Sequence, residues 1–398
     1  MSDPLLLALL VAAIAIGWLL GRWESAGRGR RRPRPEMPSG TLPKDYFVGL
    51  NYLLNEQPDR AIETFTQALE VNSDTVETHI ALGNLYRSRG EADRAVRIHQ
   101  NLLARPALSN AQSGQVQLEL SRDFLTLGLL DRAERLLLSL QKSQVDDAQK
   151  LAAKRLLVDL FEREKEWAQA LDTAQPQLVR QDPDIRRAAA HWHCELASRH
   201  RIESSPSLAR KALKQALHTD ERCVRANWML GQLEWDIGHY RDAARCWQRI
   251  PEQDPSFTTI VLEPLRNAYR LLDDEDGWWQ FLEKQLQHDP QTSVVMMAAD
   301  TLRHRQGTEI ACAFVSDQLR DHPSLRGVDY LMDLYLDDSD PAERDRLELL
   351  KQHTRQLLST RPRHRCQRCG FGAEQLHWQC PRCRSWGTSK PVTGLEGE

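Results

Sequence analysis

Four of the chain's eight cysteines fall in one stretch near its end, CQRCGFGAEQLHWQCPRCRSW, Cys366 to Trp386. Cys366 and Cys369 form one Cys-x-x-Cys pair, Cys380 and Cys383 a second, with ten residues between the pairs. Three chemistries use such pairs. Structural disulfides need an oxidising compartment. A thioredoxin-like dithiol needs a single pair at a strand-to-helix junction of a βαβ domain, and this segment is too short for that fold. Two facing turns that each present two sulfurs complete a tetrahedral S₄ site for zinc or iron. Cys366, Cys369, Cys380 and Cys383 are therefore the candidate metal ligands.

The segment resembles the knuckles of rubredoxins and zinc ribbons. Gly370 lets the first turn close with backbone N–H groups aimed at sulfur, and Pro381 fixes the second turn. Two departures stand out: Arg384 occupies the place where a second glycine is common, and the ten-residue gap is shorter than in free-standing rubredoxins. A core this small does not fold without metal and a neighbour. Phe371, Leu376, Trp378 and Trp386 are expected to cover the metal and dock it onto the last helices. Electron transfer through iron and structural clamping both remain open, and the short gap favours the clamp.

Elsewhere the residues do not assemble a reaction centre. The chain has no G-x-x-x-x-G-K, H-E-x-x-H, G-x-S-x-G or G-x-G-x-x-G motif. HWHC, His191 to Cys194, mixes ligand types, but side chains two apart leave a helix on different faces, which favours a structural role. Asp273 to Asp276 gather four carboxylates where a helix should end, a pattern that suits a solvated turn better than a cation site. Cys194, Cys223, Cys246 and Cys312 lie singly in helical patterns and are expected to be buried thiols.

What must position the cysteine pairs begins at the other end of the chain. Pro4 to Leu20 is seventeen residues without a charge, which at about 1.5 Å per residue just spans a bilayer core. A cleaved signal peptide would carry positive charge before the apolar run. Here the basic cluster follows it: Arg22, Arg28, Arg30, Arg31, Arg32 and Arg34. The pattern predicts an uncleaved anchor over residues 1–21 and a basic juxtamembrane linker over 22–41. The positive-inside rule puts the N-terminus outside and the rest of the chain in the cytoplasm. That compartment is reducing, which removes the disulfide reading of the terminal pairs.

From Asp45 the apolar pattern is helical and it recurs. Gly49 to Gly83 is 34 residues, and so is Ala61 to Ala95; Ala133, Ala170, Ala209 and Ala243 continue the slot at steps of 38, 37, 39 and 34. This resembles the tetratricopeptide repeat, in which small residues let two helices cross closely. Tyr52 and Phe65 are expected to fill the groove between successive pairs, and RHRIESSPS is read as a longer turn in the copy from Ala190 to Leu217. The expected fold is all-α: a tetratricopeptide superhelix over 42–360, behind a transmembrane helix, closed by a rubredoxin-like metal module over 361–398. A net charge of −3 gives no sign of nucleic-acid binding, and 41% hydrophobic with 27% charged residues suits a helix-rich soluble body.

An anchor followed by DYFVGLNYLLNEQPDRAIETF, a helical-repeat middle and the terminal CQRCGFGAEQLHWQCPRCRSW together resemble the lipopolysaccharide assembly protein B family over essentially the whole chain. The resemblance implies a single-pass, non-catalytic adaptor in the bacterial inner membrane that regulates lipopolysaccharide biosynthesis. It implies as partners the membrane protease FtsH, the lipid A pathway deacetylase that FtsH degrades, a membrane-embedded lipopolysaccharide-sensing regulator and other lipopolysaccharide biosynthesis proteins. It also implies one metal ion, iron by resemblance with zinc as the other candidate, on the same four cysteines. Two other functions stay open: a rubredoxin-like electron carrier whose repeats dock a reductase, and a repeat scaffold for another envelope assembly system.

Overall fold

The computed structural model describes residues 44–55, 57–71, 76–106, 108–337, 340–395 and 397. The expected anchor and basic linker lie outside the described residues. No helix among the described residues is long and apolar enough to cross a membrane. The chain forms two compact units, one ending at Ala107 and one beginning at Leu108.

The first unit holds α1 (Lys44–Leu54), α2 (Pro58–Val71), α3 (Val76–Ser88) and α4 (Ala92–Leu103). The second opens with α5 (Asn110–Thr126) and α6 (Leu130–Lys142), then α7 (Asp147–Glu164) and α8 (Trp167–Ala174). A short α9 (Gln177–Gln181) leads to α10 (Pro183–Ile202) and α11 (Pro206–Thr219), then α12 (Val224–Asp236) and α13 (Tyr240–Gln248). After α14 (Ile250–Gln253) and a 3₁₀ turn (Pro255–Phe257) come α15 (Thr258–Leu271), α16 (Glu275–His288), α17 (Thr292–Gln306) and α18 (Thr308–Asp321). The helices end with α19 (Leu325–Leu336) and α20 (Pro341–Ser359).

The pairs repeat because their turns are made the same way. A residue with positive φ ends the first helix of a pair at Gly90, Gly128, Lys165, Ser204, Gly238 and Asp273. The next N–H reaches back five residues to a helix carbonyl: Glu91 to Tyr86, Leu129 to Phe124, Glu166 to Phe161, Ser205 to His200, His239 to Glu234 and Asp274 to Tyr269. This left-handed cap satisfies carbonyls that a helix end would leave bare. Five residues after the first five of these turn residues stand Ala95, Ala133, Ala170, Ala209 and Ala243, and with Ala61 they are 0% exposed. At the sixth the slot holds the buried Trp278.

The small residues of the first helices work as expected, although one partner differs. A Cβ on Gly49 would lie 2.5 Å from the Phe65 ring, one on Gly83 would lie 2.4 Å from His99, and one on Gly231 would lie 2.1 Å from Trp247. Phe65 therefore fills space within its own pair as well as packing towards Leu82 and Leu85 of the next. RHRIESSPS is mostly helix: α10 runs through Ile202, and only Glu203 to Ser205 form the turn. His200, Arg201 and Ile202 lack helix breakers, so α10 continues until Ser204 takes the left-handed position.

A three-stranded antiparallel sheet follows α20, in the order β2-β1-β3, with β1 (His364–Cys366), β2 (Gly372–Ala373) and β3 (Ser389–Pro391). Arg365 pairs with Gly372 on one side and Lys390 on the other, so β1 is central. Between β2 and β3 the chain makes the second cysteine turn and a bridge from Gln379 to Trp386.

Candidate metal centre

The two Cys-x-x-Cys turns are built by the same backbone bonds. In the first, Gly370 N–H donates to the Cys366 carbonyl (2.9 Å) and Cys366 N–H donates to the Phe371 carbonyl (2.8 Å). In the second, Arg384 N–H donates to the Cys380 carbonyl (2.8 Å) and Cys380 N–H donates to the Ser385 carbonyl (2.9 Å). The residue after each second cysteine has positive φ, +73° at Gly370 and +58° at Arg384. Glycine adopts that conformation freely, whereas arginine pays roughly 1–2 kcal/mol for it.

These turns face each other across four sulfurs. Cys366 Sγ lies 3.7 Å from Cys383 Sγ, Cys369 Sγ lies 3.6 Å from Cys380 Sγ, and all four lie within 4.8 Å of one another. A disulfide would require about 2.05 Å. A tetrahedral ion with metal–sulfur bonds of about 2.3 Å would place its sulfurs about 3.8 Å apart, so the donor set fits one ion. This is the one such cluster among the described residues.

The surroundings prepare the sulfurs unequally. Burial works to raise the Cys366 thiol, but the Thr388 hydroxyl and the N–H groups of Cys369 and Arg368 outweigh it and bring the thiol down to about 6. The Ser385 hydroxyl, 3.4 Å from Cys383 Sγ, holds that thiol below the usual range. Burial pushes Cys380 up to about 11 despite the N–H groups of Cys383 and Arg382. Four thiolates at this spacing repel one another, and a bound cation supplies the charge that lets all four ionise.

The module docks on the middle of the second unit, which corrects the expectation that it would sit on the last helices. Its centre is Glu162, in the last turn of α7, whose side chain is 12% exposed. The Trp386 indole N–H donates to Glu162 Oε2 at 2.9 Å, and so does that of the buried Trp192 from α10. Gln379 Nε2 donates to Oε1 at 2.9 Å, and Arg384 reaches Glu162 at 3.4 Å and Asp159 at 3.5 Å. Burial raises the Glu162 pKa against the pull of these donors. The left-handed Arg384 thus exchanges backbone comfort for a grip on α7.

Apolar contacts complete the seam. Trp386 stacks on His191 at 5.1 Å and meets Trp167 edge-on at 6.0 Å, while Trp378 stacks on Phe257 of the 3₁₀ turn at 5.8 Å. Lys390 pairs with Asp254 at 2.7 Å, and beyond β3 the Leu395 carbonyl accepts from Leu325 N–H at the start of α19. Burial, then the charges of Arg225 and Arg187, push His191 down to about 3, so it packs as a neutral ring. Phe371 stays within the module, 6.4 Å from His377.

Other candidates separate. Cys194 faces Cys223 at 4.0 Å between Sγ atoms, away from the His191 stack, so HWHC is no ligand set. Asp274 caps Gly277 N–H at 2.9 Å, and Arg305 lies within 3.8 Å of Glu275 and Asp276, which makes the acidic run a capped turn. Glu162 and Asp159 had no signal in the sequence: both sit on a helix, more than 200 residues from the side chains of the cysteine module that they bind.

A family model described as a rubredoxin metal binding domain matches residues 364–391, and tetratricopeptide repeat models match 78–111 and 196–256. Lipopolysaccharide assembly protein B of Escherichia coli K12 is 35% identical over 397 residues, 99% of each chain. That of Haemophilus influenzae is 32% identical over 403 residues, covering 98% of this chain and 99% of its own. Among solved structures, the C-terminal part of a TPR repeat-containing protein from Cytophaga hutchinsonii covers 62% of this chain and 95% of its own, with 11% identity and a TM-score of 0.42.

Proposed function

The chain belongs to the lipopolysaccharide assembly protein B family, and from that premise we propose that it is a membrane-held, non-catalytic adaptor in lipopolysaccharide assembly. In this reading residues 1–21 anchor it in the inner membrane and 22–41 form the basic linker. The repeats over 42–360 hold a client, and Cys366, Cys369, Cys380 and Cys383 of the 361–398 module hold one zinc or iron ion. The finer part is that the adaptor presents the lipid A pathway deacetylase to FtsH in the same membrane, under a membrane-embedded lipopolysaccharide-sensing regulator. Confinement by the anchor raises effective concentration, so modest contacts suffice for a ternary encounter.

The observation that carries the adaptor reading is correspondence over nearly the full length of both chains, repeats and cysteine module included. The bound ion would supply a rigid cross-link rather than a reaction centre. The chain's own residues do the rest: Arg384, Gln379 and Trp386 grip Glu162, and Trp378 covers Phe257. Such a module fixes the relative placement of α7, α10 and the 3₁₀ turn, and with it the surface those repeats offer a client.

The test follows deacetylase turnover in the native bacterium after protein synthesis is stopped. Cells carrying Cys366→Ser with Cys369→Ser, or a chain lacking residues 1–20, should keep the deacetylase several-fold longer than wild type. Wild-type turnover with a metal-free variant would remove the module from the function, and wild-type turnover without the anchor would remove the confinement step.

A further inference from the structure

At the seam between the cysteine module and the helices lies a cleft of about 660 Å³. Gln367, Trp378, Gly387 and Thr388 form its module wall, and α10, the start of α12 and the 3₁₀ turn form the other. Five cationic side chains line it, Arg186, Arg187, Arg222, Arg225 and Lys390, against two carboxylates, Asp220 and Asp254. Local partners already engage most of these charges. Lys390 holds Asp254 at 2.7 Å, Arg225 holds Glu195 at 2.7 Å and Arg187 holds Asp184 at 3.3 Å. Asp220 accepts the backbone N–H of Arg222 at 3.1 Å.

Two guanidiniums are left. Arg186 and Arg222 are exposed at the rim and form no ion pair among the described residues. Deeper in, His191 is 3% exposed, lines the same cleft, and its Nδ1 has no hydrogen-bond partner. A buried polar nitrogen without a partner is costly in a native core unless something else satisfies it. The packing around His191 is otherwise complete, with Trp386 stacked on one face and Gly387 so close that a Cβ there would lie 3.0 Å from Nε2.

We propose that this cleft binds a small phosphate-bearing molecule, with Arg186 and Arg222 gripping its oxygens and His191 donating from Nδ1. A carboxylate fills one guanidinium fork, whereas a phosphate or diphosphate has acceptor oxygens for two forks and a ring N–H. The cleft volume falls in the range of small-ligand sites. Phe257 and Trp378 add apolar wall for the rest of the molecule. One wall belongs to the cysteine module, so occupancy and docking of that module support each other.

The metal-loaded full-length protein should bind inorganic pyrophosphate saturably and one-to-one by calorimetry in about 150 mM salt, where long-range charge effects are screened. Arg186→Ala with Arg222→Ala should weaken binding at least about tenfold at unchanged metal content, since each lost charge-assisted bond is substantial. His191→Phe, which keeps the stack, should weaken it less. No saturable binding, or equal binding by the double variant, would overturn the site. Binding to phosphatidic acid vesicles without any response to pyrophosphate would overturn the free ligand and move the phosphate to a lipid headgroup. Equal pyrophosphate binding after chelation would overturn the two-walled cleft.

Discussion

The two cysteine turns have the same backbone and opposite surroundings. The Gly370 turn is exposed, and a Cβ added at Gly370 would meet nothing within 4 Å. The Arg384 turn carries the same hydrogen bonds but faces α7, and its arginine reaches Asp159 and Glu162. At the first turn the left-handed residue serves the turn alone, and the helices are met through the exposed Arg368–Asp184 pair at 3.4 Å, while the second turn gives up the residue that suits a left-handed turn to gain a docking contact. The comparison separates two roles that a shared metal site would otherwise blur: closing a knuckle and fastening it to the repeats.

The largest effect should come from removing what only the second turn uses. Glu162→Ala leaves the indole N–H groups of Trp192 and Trp386 without their acceptor, while the Gln379 amide keeps the Arg384 carbonyl at 3.1 Å. The expected loss is about 3 kcal/mol of stability in chemical denaturation, since each stranded buried donor costs about 1–3 kcal/mol. Glu162→Gln, which keeps an acceptor oxygen, should lose less. Equal stability of Glu162→Ala and wild type would mean the docking centre lies elsewhere.

The next contrast is in pH. His191 lies under the second turn, and burial lowers its pKa from 6.5 to about 3. Its unfolded form takes a proton as the pH falls below 6.5 while the folded form does not, so its stabilising contribution is present above that value and is lost as the pH falls toward about 3. Between about pH 7 and pH 5 this amounts to about 2 kcal/mol. His191→Phe should flatten that part of the stability profile by a similar amount. An unchanged slope would show that His191 does not titrate differently on folding.

The smallest effects test the two turn residues against each other. Gly370→Ala should cost about 1 kcal/mol through its positive φ alone and weaken metal binding, with α7 unaffected. Arg384→Gly should relieve comparable backbone strain while losing half-exposed ion pairs worth about 1 kcal/mol. Overall stability should therefore barely change. Hydrogen exchange at the end of α7 should nevertheless rise in Arg384→Gly and stay constant in Gly370→Ala. The reverse pattern would undo the division of roles.

Particular residues show how far the sequence carried this reading. The alanine ladder from Ala61 to Ala243 was legible because a helix crossing admits only small side chains, and such a constraint recurs at fixed spacing. The gathering of the four cysteines was legible because two Cys-x-x-Cys turns at this spacing can bring four sulfurs to one point. The turns at Lys165 and Ser204 were hidden, since the same left-handed cap is marked by glycine at Gly90, Gly128 and Gly238 but not there. The docking face was hidden for another reason: Glu162 meets Trp386 only through the tertiary fold, 224 residues away in the chain. Arg384 was visible as an oddity, and its reason appeared only once Asp159 and Glu162 stood opposite it.

The central claim is that a four-sulfur ion holds this module as a clasp on the middle of the repeats. Hydrogen exchange of the full-length protein, before and after the metal is removed by chelation, tests it most directly. The account predicts that residues 364–391 lose protection on metal removal, and that the Glu162 end of α7 and the Trp192 region of α10 lose protection with them. Retained protection of residues 364–391 without metal, or their loss with α7 and α10 unchanged, would contradict it.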